Sequence, residues 1–198
     1  MESDTFLGTL REAFGQVWRW IALIWLVMVL RAFVAHVFRT YLPVLYVQEG
    51  FSLVSVGAMI TLFTLAGTAS GVLFGYLSDR IGFRKLFCAS FLAAAPCLWL
   101  LVWARGPWVY PLIFLSGFFI MATLPLGVTL AQTLAPKGRS MVSSLMMGFA
   151  FGLGGSMTPI AGAFADAFSI RPVLAAAALI PLALLIPVSR LPEPRKTC

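Results

Sequence analysis

The stretch GYLSDRIGFRKLF, residues 75–87, places four charges within seven residues of a chain that is only 11% charged. Uncharged apolar segments flank it, residues 53–78 on one side and 86–104 on the other. Charged side chains are costly inside a bilayer, and basic residues collect in cytoplasmic loops. The stretch therefore predicts a charged cytoplasmic turn, residues 79–85, between two membrane-spanning helices.

The whole chain of 198 residues has the composition of an integral membrane protein. Hydrophobic residues make up 61% of it and the mean hydropathy is +0.97, whereas soluble domains are about 45–50% apolar. A helix needs roughly 20 apolar residues to cross a bilayer. Uncharged runs cover residues 53–78, 86–104, 106–136, 140–165 and 172–189, and a sixth run, 18–46, is interrupted by Arg31, His36 and Arg39.

These runs predict an all-α membrane protein with six transmembrane helices in a single domain, residues 1–198. The predicted helices are Val17–Tyr46, Leu53–Ser78, Leu86–Trp103, Val109–Leu134, Ser140–Phe164 and Pro172–Ser189. Apolar residues at helical spacing before the first span predict an amphipathic interfacial helix within residues 1–17. Residues 18–189 form the membrane part, and residues 190–198 are predicted to be a cytoplasmic tail.

The net charge of +7 follows the membrane topology. With a cytoplasmic N-terminus, ten basic residues lie on the inner side: Arg11, Arg19, Arg80, Arg84, Lys85, Lys137, Arg139, Arg190, Arg195 and Lys196. Three lie on the outer side: Arg39, Arg105 and Arg171. This asymmetry is the positive-inside pattern. It predicts that both termini are cytoplasmic and that the basic charge serves orientation in a lipid bilayer, with no nucleic-acid partner.

Two series of small residues at a spacing of four run along the second and fifth predicted helices. The first is Gly67, Gly71 and Gly75, continued by Asp79, and the second is Ser140, Ser144, Gly148, Gly152 and Ser156. Residues spaced by four lie along one helix face, and small residues let membrane helices approach closely. We call these series the second-span stripe and the fifth-span stripe, and we predict that both are helix-packing surfaces.

The opening stretch resembles the signature loop of the major facilitator superfamily of transporters, G-x-L-x-D-R-x-G followed by basic residues. The matching positions are Gly75, Leu77, Asp79, Arg80, Gly82, Arg84 and Lys85, while Phe83 stands where a basic residue is usual. Residues 130–155 also resemble the C-terminal half of the fosmidomycin-resistance-like efflux group. The resemblance implies a multi-pass protein of the bacterial inner membrane and a gating role for the signature residues Gly75, Asp79, Arg80, Gly82, Arg84 and Lys85.

Members of that superfamily typically have twelve spans in two halves, with the substrate site between the halves, so six spans resemble one half. A symmetric homodimer is the economical way to complete the cavity. A separate partner half and a fragment of a longer chain are the alternatives. In the homodimer, the resemblance places Asp79 of one copy against Arg139–Ser140–Met141 of the other, where it would act as a cytoplasmic latch. An N-terminal amphipathic helix after Met1 would take the place of the linker between halves.

Arg31 is the leading candidate for substrate binding because it lies about halfway along the first predicted helix, and intramembrane charges are functional candidates. His36, Arg39 and Gln132 complete the predicted site. An arginine favours an anionic substrate group. The alternative for Arg31 is a structural bond to helix-end carbonyls or to a partner half, and for His36 a packing role is favoured. No acidic residue lies at mid-membrane, so a coupling proton would use His36 or an acid of the partner half, unless transport is uniport or anion exchange.

The sequence thus predicts a half-size transporter that moves a small organic solute, with efflux and an anionic group favoured. The alternative is a non-transporting assembly or scaffold subunit of a membrane complex. An enzyme is disfavoured because the chain has one histidine and no phosphate-binding loop or metal-spaced cluster. No cofactor and no metal site are expected.

Overall fold

The computed structural model describes residues 17–191, and these residues form eight α-helices and no strand. The helices are α1 (Trp18–Gln48), α2 (Leu53–Ile81), α3 (Phe83–Trp103), α4 (Val109–Leu134), α5 (Arg139–Ser143), α6 (Ala150–Ser156), α7 (Thr158–Phe168) and α8 (Ile170–Ser189). Short 3₁₀ turns, Gly106–Trp108 and Pro136–Gly138, precede α4 and α5. The predicted interfacial helix, and residues 192–198 of the predicted tail, lie outside the described residues.

Six helical segments are long and apolar enough to cross a membrane, which confirms the predicted fold class. Helices α1 to α4 supply the first four, and α8 is the sixth. The fifth span is composite: α5, a π-helical turn at Ser144–Phe149, α6 and α7 follow one another within residues 136–168. The break between α6 and α7 lies at Met157, two residues before Pro159, which has no amide hydrogen to continue the α6 ladder.

The prediction of a turn over residues 79–85 was wrong. Helix α2 continues through Ile81 and α3 begins at Phe83, so Gly82 alone separates them. Gly82 has φ +99°, a conformation that residues with a side chain rarely adopt, and its amide donates to the Ser78 carbonyl at 3.2 Å. The charges therefore mark where the apolar run ends, and the glycine marks where the helix ends.

Helix α1 lies at the centre of the packing. It contacts α6 and α8 extensively, while α2 packs chiefly on α4, and α3 packs on both α4 and α8. In the most apolar window of each span, 61% of α1 residues are buried, against 28% for α2 and 22% for the fifth span. The two spans that carry the small-residue stripes are therefore the two least covered by their own chain.

Three glycines of α4 and α6 allow the close helix contacts of the core. A Cβ at Gly117 of α4 would lie 2.6 Å from the Phe63 carbonyl oxygen of α2. A Cβ at Gly154 of α6 would lie 2.8 Å from the Val29 carbonyl oxygen of α1, and Gly127 packs against Met28. At Gly117 and Gly154 the neighbouring backbone leaves no room for a side chain, whereas at Gly127 the nearest atoms belong to the flexible Met28 side chain.

Polar contacts join the C-terminal ends of α1 and α3 to the N-terminal end of α8. Arg171 at the start of α8 forms an ion pair with Glu49 after α1, and its guanidinium lies 5.7 Å from the ring centroid of Trp103. The Tyr46 hydroxyl donates to the Leu101 carbonyl at 2.7 Å. These contacts fix one end of the bundle, and the predicted site lies further along α1.

Candidate functional site

Arg31 is buried in the contact between α1 and α4, with 1% of its surface exposed. Its Nε donates to the Ile120 carbonyl at 3.2 Å and to Thr123 Oγ1 at 3.1 Å, and Nη2 donates to Met121 Sδ at 3.3 Å. Thr123 in turn donates to the Ile120 carbonyl at 2.6 Å. The carbonyl lies within α4 of the same chain, so Arg31 does not follow the helix-end alternative.

The two helices that enclose Arg31 supply no acidic side chain to balance its charge. Neither α1 nor α4 contains an Asp or Glu, and the acids nearest to Arg31 along the sequence are Glu12 and Glu49. Among the described residues, Arg31 is held by a carbonyl, a hydroxyl and a thioether, and a buried cation with such neutral partners keeps most of its desolvation cost. An anion brought close to Arg31 would lower that cost.

An open groove of about 610 Å³ lies beside this arginine, mainly between α2 and α4. Its walls are largely apolar, and its polar lining comes from Arg39, Thr64, Thr68 and Thr129. Met121 also lines the groove, so the residue whose thioether accepts from Arg31 belongs to the groove wall. The groove thus runs past a buried cation that its surface does not expose.

The four predicted substrate residues do not converge on one point. Arg39 is exposed and lines the groove about 12 Å along α1 from Arg31. His36 turns toward the fifth span, where its ring lies 4.4 Å from the ring centroid of Phe151. Its Nε2 is buried and forms no hydrogen bond among the described residues. Arg31 and Arg39 remain site candidates on this geometry, and His36 has the surroundings of a packing residue.

Gln132 lies near the opposite end of α4. Its Nε2 donates to Ser143 Oγ at 2.6 Å, a bond that joins the last turns of α4 to α5. Twelve residues separate it from Ile120, which is about 18 Å along the helix axis. Gln132 and Arg31 therefore cannot bind the same small group of a substrate in this conformation.

The predicted gating residues surround the α2–α3 junction. Gly75 and Arg80 are exposed on the last turns of α2, where the Arg80 guanidinium lies 4.8 Å from the Tyr76 ring centroid. Arg84 and Lys85 are exposed in the first turn of α3. Asp79 belongs to α2, and its side chain lies outside the described part of the structure.

The two stripes face away from the chain's own core, with one exception. A Cβ at Gly67 would lie 2.8 Å from Met121 Cγ, so Gly67 packs against α4 of the same chain. A Cβ at Gly71, Gly75, Gly148 or Gly152 would meet no atom of the described residues within 4 Å. Ser144 is likewise exposed. The packing of these positions against another helix stays a prediction about a second chain.

Met121 and the π-helical turn at Ser144–Phe149 were not predicted from the sequence. In an apolar helix, nothing in the sequence distinguishes a methionine that lines a groove from one in the core. The π-turn lies inside the fifth-span stripe, and such turns are frequent at functional sites. Among residues 17–191, no group of three or more His, Cys, Asp or Glu is placed to hold a metal ion.

Comparison with known proteins agrees with this architecture. The chain is 34% identical over 139 residues to the fosmidomycin resistance protein of Escherichia coli (strain K12), which covers 69% of this chain and 34% of that protein. It is 34% identical over 132 residues to YfnC, an uncharacterized transporter of the major facilitator type in Bacillus subtilis (strain 168), with 65% of this chain and 32% of YfnC covered. The matched region thus spans about a third of each relative. The family model of the Major Facilitator Superfamily matches residues 24–197, and the chain belongs to that superfamily of transporters.

Proposed function

We propose that this chain is one half of an alternating-access transporter and that two copies form the complete one. The substrate would lie between the two α2–α4 grooves. A two-fold axis would bring the uncovered part of each second-span stripe, Gly71 and Gly75, against the fifth-span stripe of the other copy. The alternatives are a partner half encoded separately and a longer chain that carries both halves.

The main support for this proposal is that the chain itself covers little of the surfaces of α2 and the fifth span. Only 28% and 22% of their apolar windows are buried by the chain itself. At four stripe glycines, Gly71, Gly75, Gly148 and Gly152, a side chain would meet no atom of the described residues within 4 Å of its Cβ. A surface that faces lipid gains nothing from glycine, whereas a helix–helix contact gains close approach. Two such surfaces on either side of one groove fit a second half better than lipid.

The proposed cargo is a small organic anion that leaves the cell. Arg31 supplies a buried positive charge without an acidic partner on α1 or α4, and Arg39 adds a second positive charge in the groove. The relationship to a protein named for fosmidomycin resistance supports export. Neither α1 nor α4 contains a carboxylate that could carry a proton, so a coupling proton would use His36 or an acid of the partner half, unless transport is uniport or anion exchange.

The direct test is flux in liposomes that contain only this purified chain. A panel of labelled organic anions, with fosmidomycin included, would be compared with cationic and neutral compounds of similar size. We expect saturable movement of at least one anion, and loss of that movement in Arg31→Ala. Thr133→Ala is a matched control, because Thr133 bonds only to the Thr129 carbonyl of its own helix among the described residues. A folded chain without flux for any compound would favour the scaffold alternative.

We propose a bacterial inner-membrane location with both chain ends in the cytoplasm. Six spans return the chain to the side from which it started, and the ten-to-three distribution of basic residues selects the cytoplasmic side. Reporter fusions after residues 105 and 137 should lie on opposite sides of the membrane. Finding both reporters on one side would contradict this orientation.

The proposed cytoplasmic gate is the α2–α3 junction of one copy facing the start of the fifth span of the other. Asp79 on the last turn of α2 would approach Arg139–Ser140–Met141, a contact worth about 0.3–1 kcal/mol if exposed. The contact occurs twice in a two-fold dimer and breaks when the transporter opens inward. Asp79→Asn should therefore raise the fraction of inward-open protein without weakening substrate binding, as measured by accessibility of groove cysteines from the inner side.

A further inference from the structure

We propose that Met121 is a movable lid over an anion subsite formed by Arg31 and Thr123 at the floor of the α2–α4 groove. The proposal deepens the transport function above and rests on it. It assigns the chemistry of the bound group, a carboxylate, phosphonate or sulfonate, and it assigns a specificity role to a residue that is itself uncharged.

The first argument is the poor match between Arg31 and what binds it. A guanidinium prefers carboxylate or phosphate oxygens, which accept two parallel hydrogen bonds. Here Nη2 donates to a thioether sulfur, which is a weak acceptor. An oxyanion at that position would form a stronger, charge-assisted bond and would supply the missing negative charge.

The second argument is the position of Met121 between the arginine and the groove. Its sulfur contacts Arg31 on one side, while its side chain lines the groove on the other. Arg31 is 1% exposed and Met121 is half-buried, so the methionine covers the cation. A rotation of Met121 alone would therefore open a path from the groove to Nη2.

The third argument is the freedom of this lid to move. Methionine is unbranched and has three rotatable bonds, so it can occupy several positions at low cost. Met121 Cγ lies 2.8 Å from where a Cβ of Gly67 would be. The missing side chain at Gly67 thus gives Met121 its present place in the seam between α2 and α4, and the open groove gives it room to swing out.

The fourth argument is the presence of a second donor at the same point. Thr123 Oγ1 accepts from Arg31 and donates to the Ile120 carbonyl. A rotated hydroxyl could instead donate to an anion that binds Arg31, while Arg31 Nε keeps its bond to Ile120. The subsite therefore offers a fixed cation and an adjustable hydroxyl, and this pair favours a bidentate oxyanion over a halide.

The test is charge-selective labelling of a thiol introduced at position 121. Met121→Cys is made in a background without Cys88, Cys97 and Cys198, and the full-length chain is reconstituted in nanodiscs. The rates of modification by two methanethiosulfonate reagents of similar size are compared, one ending in a sulfonate and one in a trimethylammonium group. Val72→Cys is the matched reference, because Val72 also lines the groove and is 76% exposed.

We expect the anionic-to-cationic rate ratio of Met121→Cys to exceed the ratio of Val72→Cys by about tenfold. Adding Arg31→Gln should abolish the excess, and adding Arg39→Gln should leave most of it. Equal ratios for the two variants, an excess that survives Arg31→Gln, or a Met121→Cys variant that does not react at all would each overturn the proposal.

A second measurement needs no change at Arg31. Excess methylphosphonate should slow the reaction of the Met121→Cys variant with the uncharged reagent methyl methanethiosulfonate at least threefold, and tetramethylammonium at the same ionic strength should not. No protection by methylphosphonate would show that the subsite holds no oxyanion. Because neither measurement depends on transport, a failure here is distinguishable from a failure of the flux assay.

Discussion

Glycines in the core of this helix bundle and glycines on its exposed surface have opposite surroundings. Gly117 and Gly154 face backbone atoms of neighbouring helices at 2.6–2.8 Å from a notional Cβ, so the core of the bundle depends on them. Gly75 and Gly152 face no described atom within 4 Å. The core glycines are explained by packing within the chain itself, whereas the surface glycines fit the proposed contact with a second copy.

The largest expected effect on stability is at the glycines of the bundle core. Gly154→Val would push a side chain into the Val29 carbonyl and the Ala32 methyl of α1, and the helix backbone cannot yield. We expect a loss of about 1–3 kcal/mol in the free energy of unfolding, measured by thermal or denaturant unfolding in detergent micelles. An unfolding midpoint that Gly154→Val leaves unchanged would contradict this close approach of α1 and α6.

The next effect concerns the contact that joins the C-terminal ends of α1 and α3. Tyr46→Phe removes the hydroxyl that donates to the Leu101 carbonyl at 2.7 Å, in a side chain that is 1% exposed. We expect a loss of about 0.5–1.5 kcal/mol. Tyr41→Phe is the control, since its bond to the Thr158 carbonyl is longer, 3.3 Å, and should contribute less. Equal losses would indicate that bond geometry does not set the difference.

A smaller effect is expected from the ion pair at the same end. Glu49→Gln breaks the pair with Arg171, which is partly exposed and therefore screened by salt. The expected loss is about 0.2–1 kcal/mol at low ionic strength and less at high salt. Unfolding midpoints at two salt concentrations, for parent and variant, give this difference. A loss that does not depend on salt would argue for packing instead of charge.

The smallest effect on stability is expected at a glycine on the exposed surface of the bundle. Gly152→Val introduces the same side chain as Gly154→Val two residues away, yet its Cβ has no neighbour within 4 Å in residues 17–191. The free energy of unfolding of the single chain should change by less than about 0.5 kcal/mol. If the fifth-span stripe packs on a second copy, the same substitution should weaken self-association instead. Sedimentation of the detergent-solubilised chain would report both states.

Much of the fold could be predicted because the length of an uncharged apolar run matches the length of helix needed to cross the bilayer. The predicted bounds of α4, Val109–Leu134, agree with the structure. The turn at 79–85 was wrong because apolarity ends at the membrane surface while the α2 ladder continues to Ile81. The composite fifth span was also not foreseen, since a π-turn leaves no compositional mark.

The candidate site was only partly predictable. The sequence indicates how deep a residue lies in the membrane, but it does not indicate which neighbouring helix its side chain faces. The depth of Arg31 follows from its place in the first apolar run. Its partners depend on the rotation of α1 against α4, which brings Ile120 and Met121 to it. Five residues later the helix has turned about 140°, so His36 faces Phe151 of the fifth span instead.

The central claim, that a second copy covers the stripes, is tested most directly by a disulfide crosslink between copies. The pair is Gly75→Cys with Ser144→Cys in a cysteine-free background, because both positions are exposed, whereas neighbouring Ser78 is 4% exposed. Leu92→Cys with Ser144→Cys is the control, since Leu92 is 60% exposed on α3, away from the stripe.

Under mild oxidation in liposomes, the Gly75→Cys and Ser144→Cys pair should give a species of twice 21.5 kDa in high yield, and the control pair should not. Crosslinking that stays within single chains, or equal dimer yields for both pairs, would contradict the account. The stripes would then face lipid or a different protein, and the transporter would have to be completed in another way.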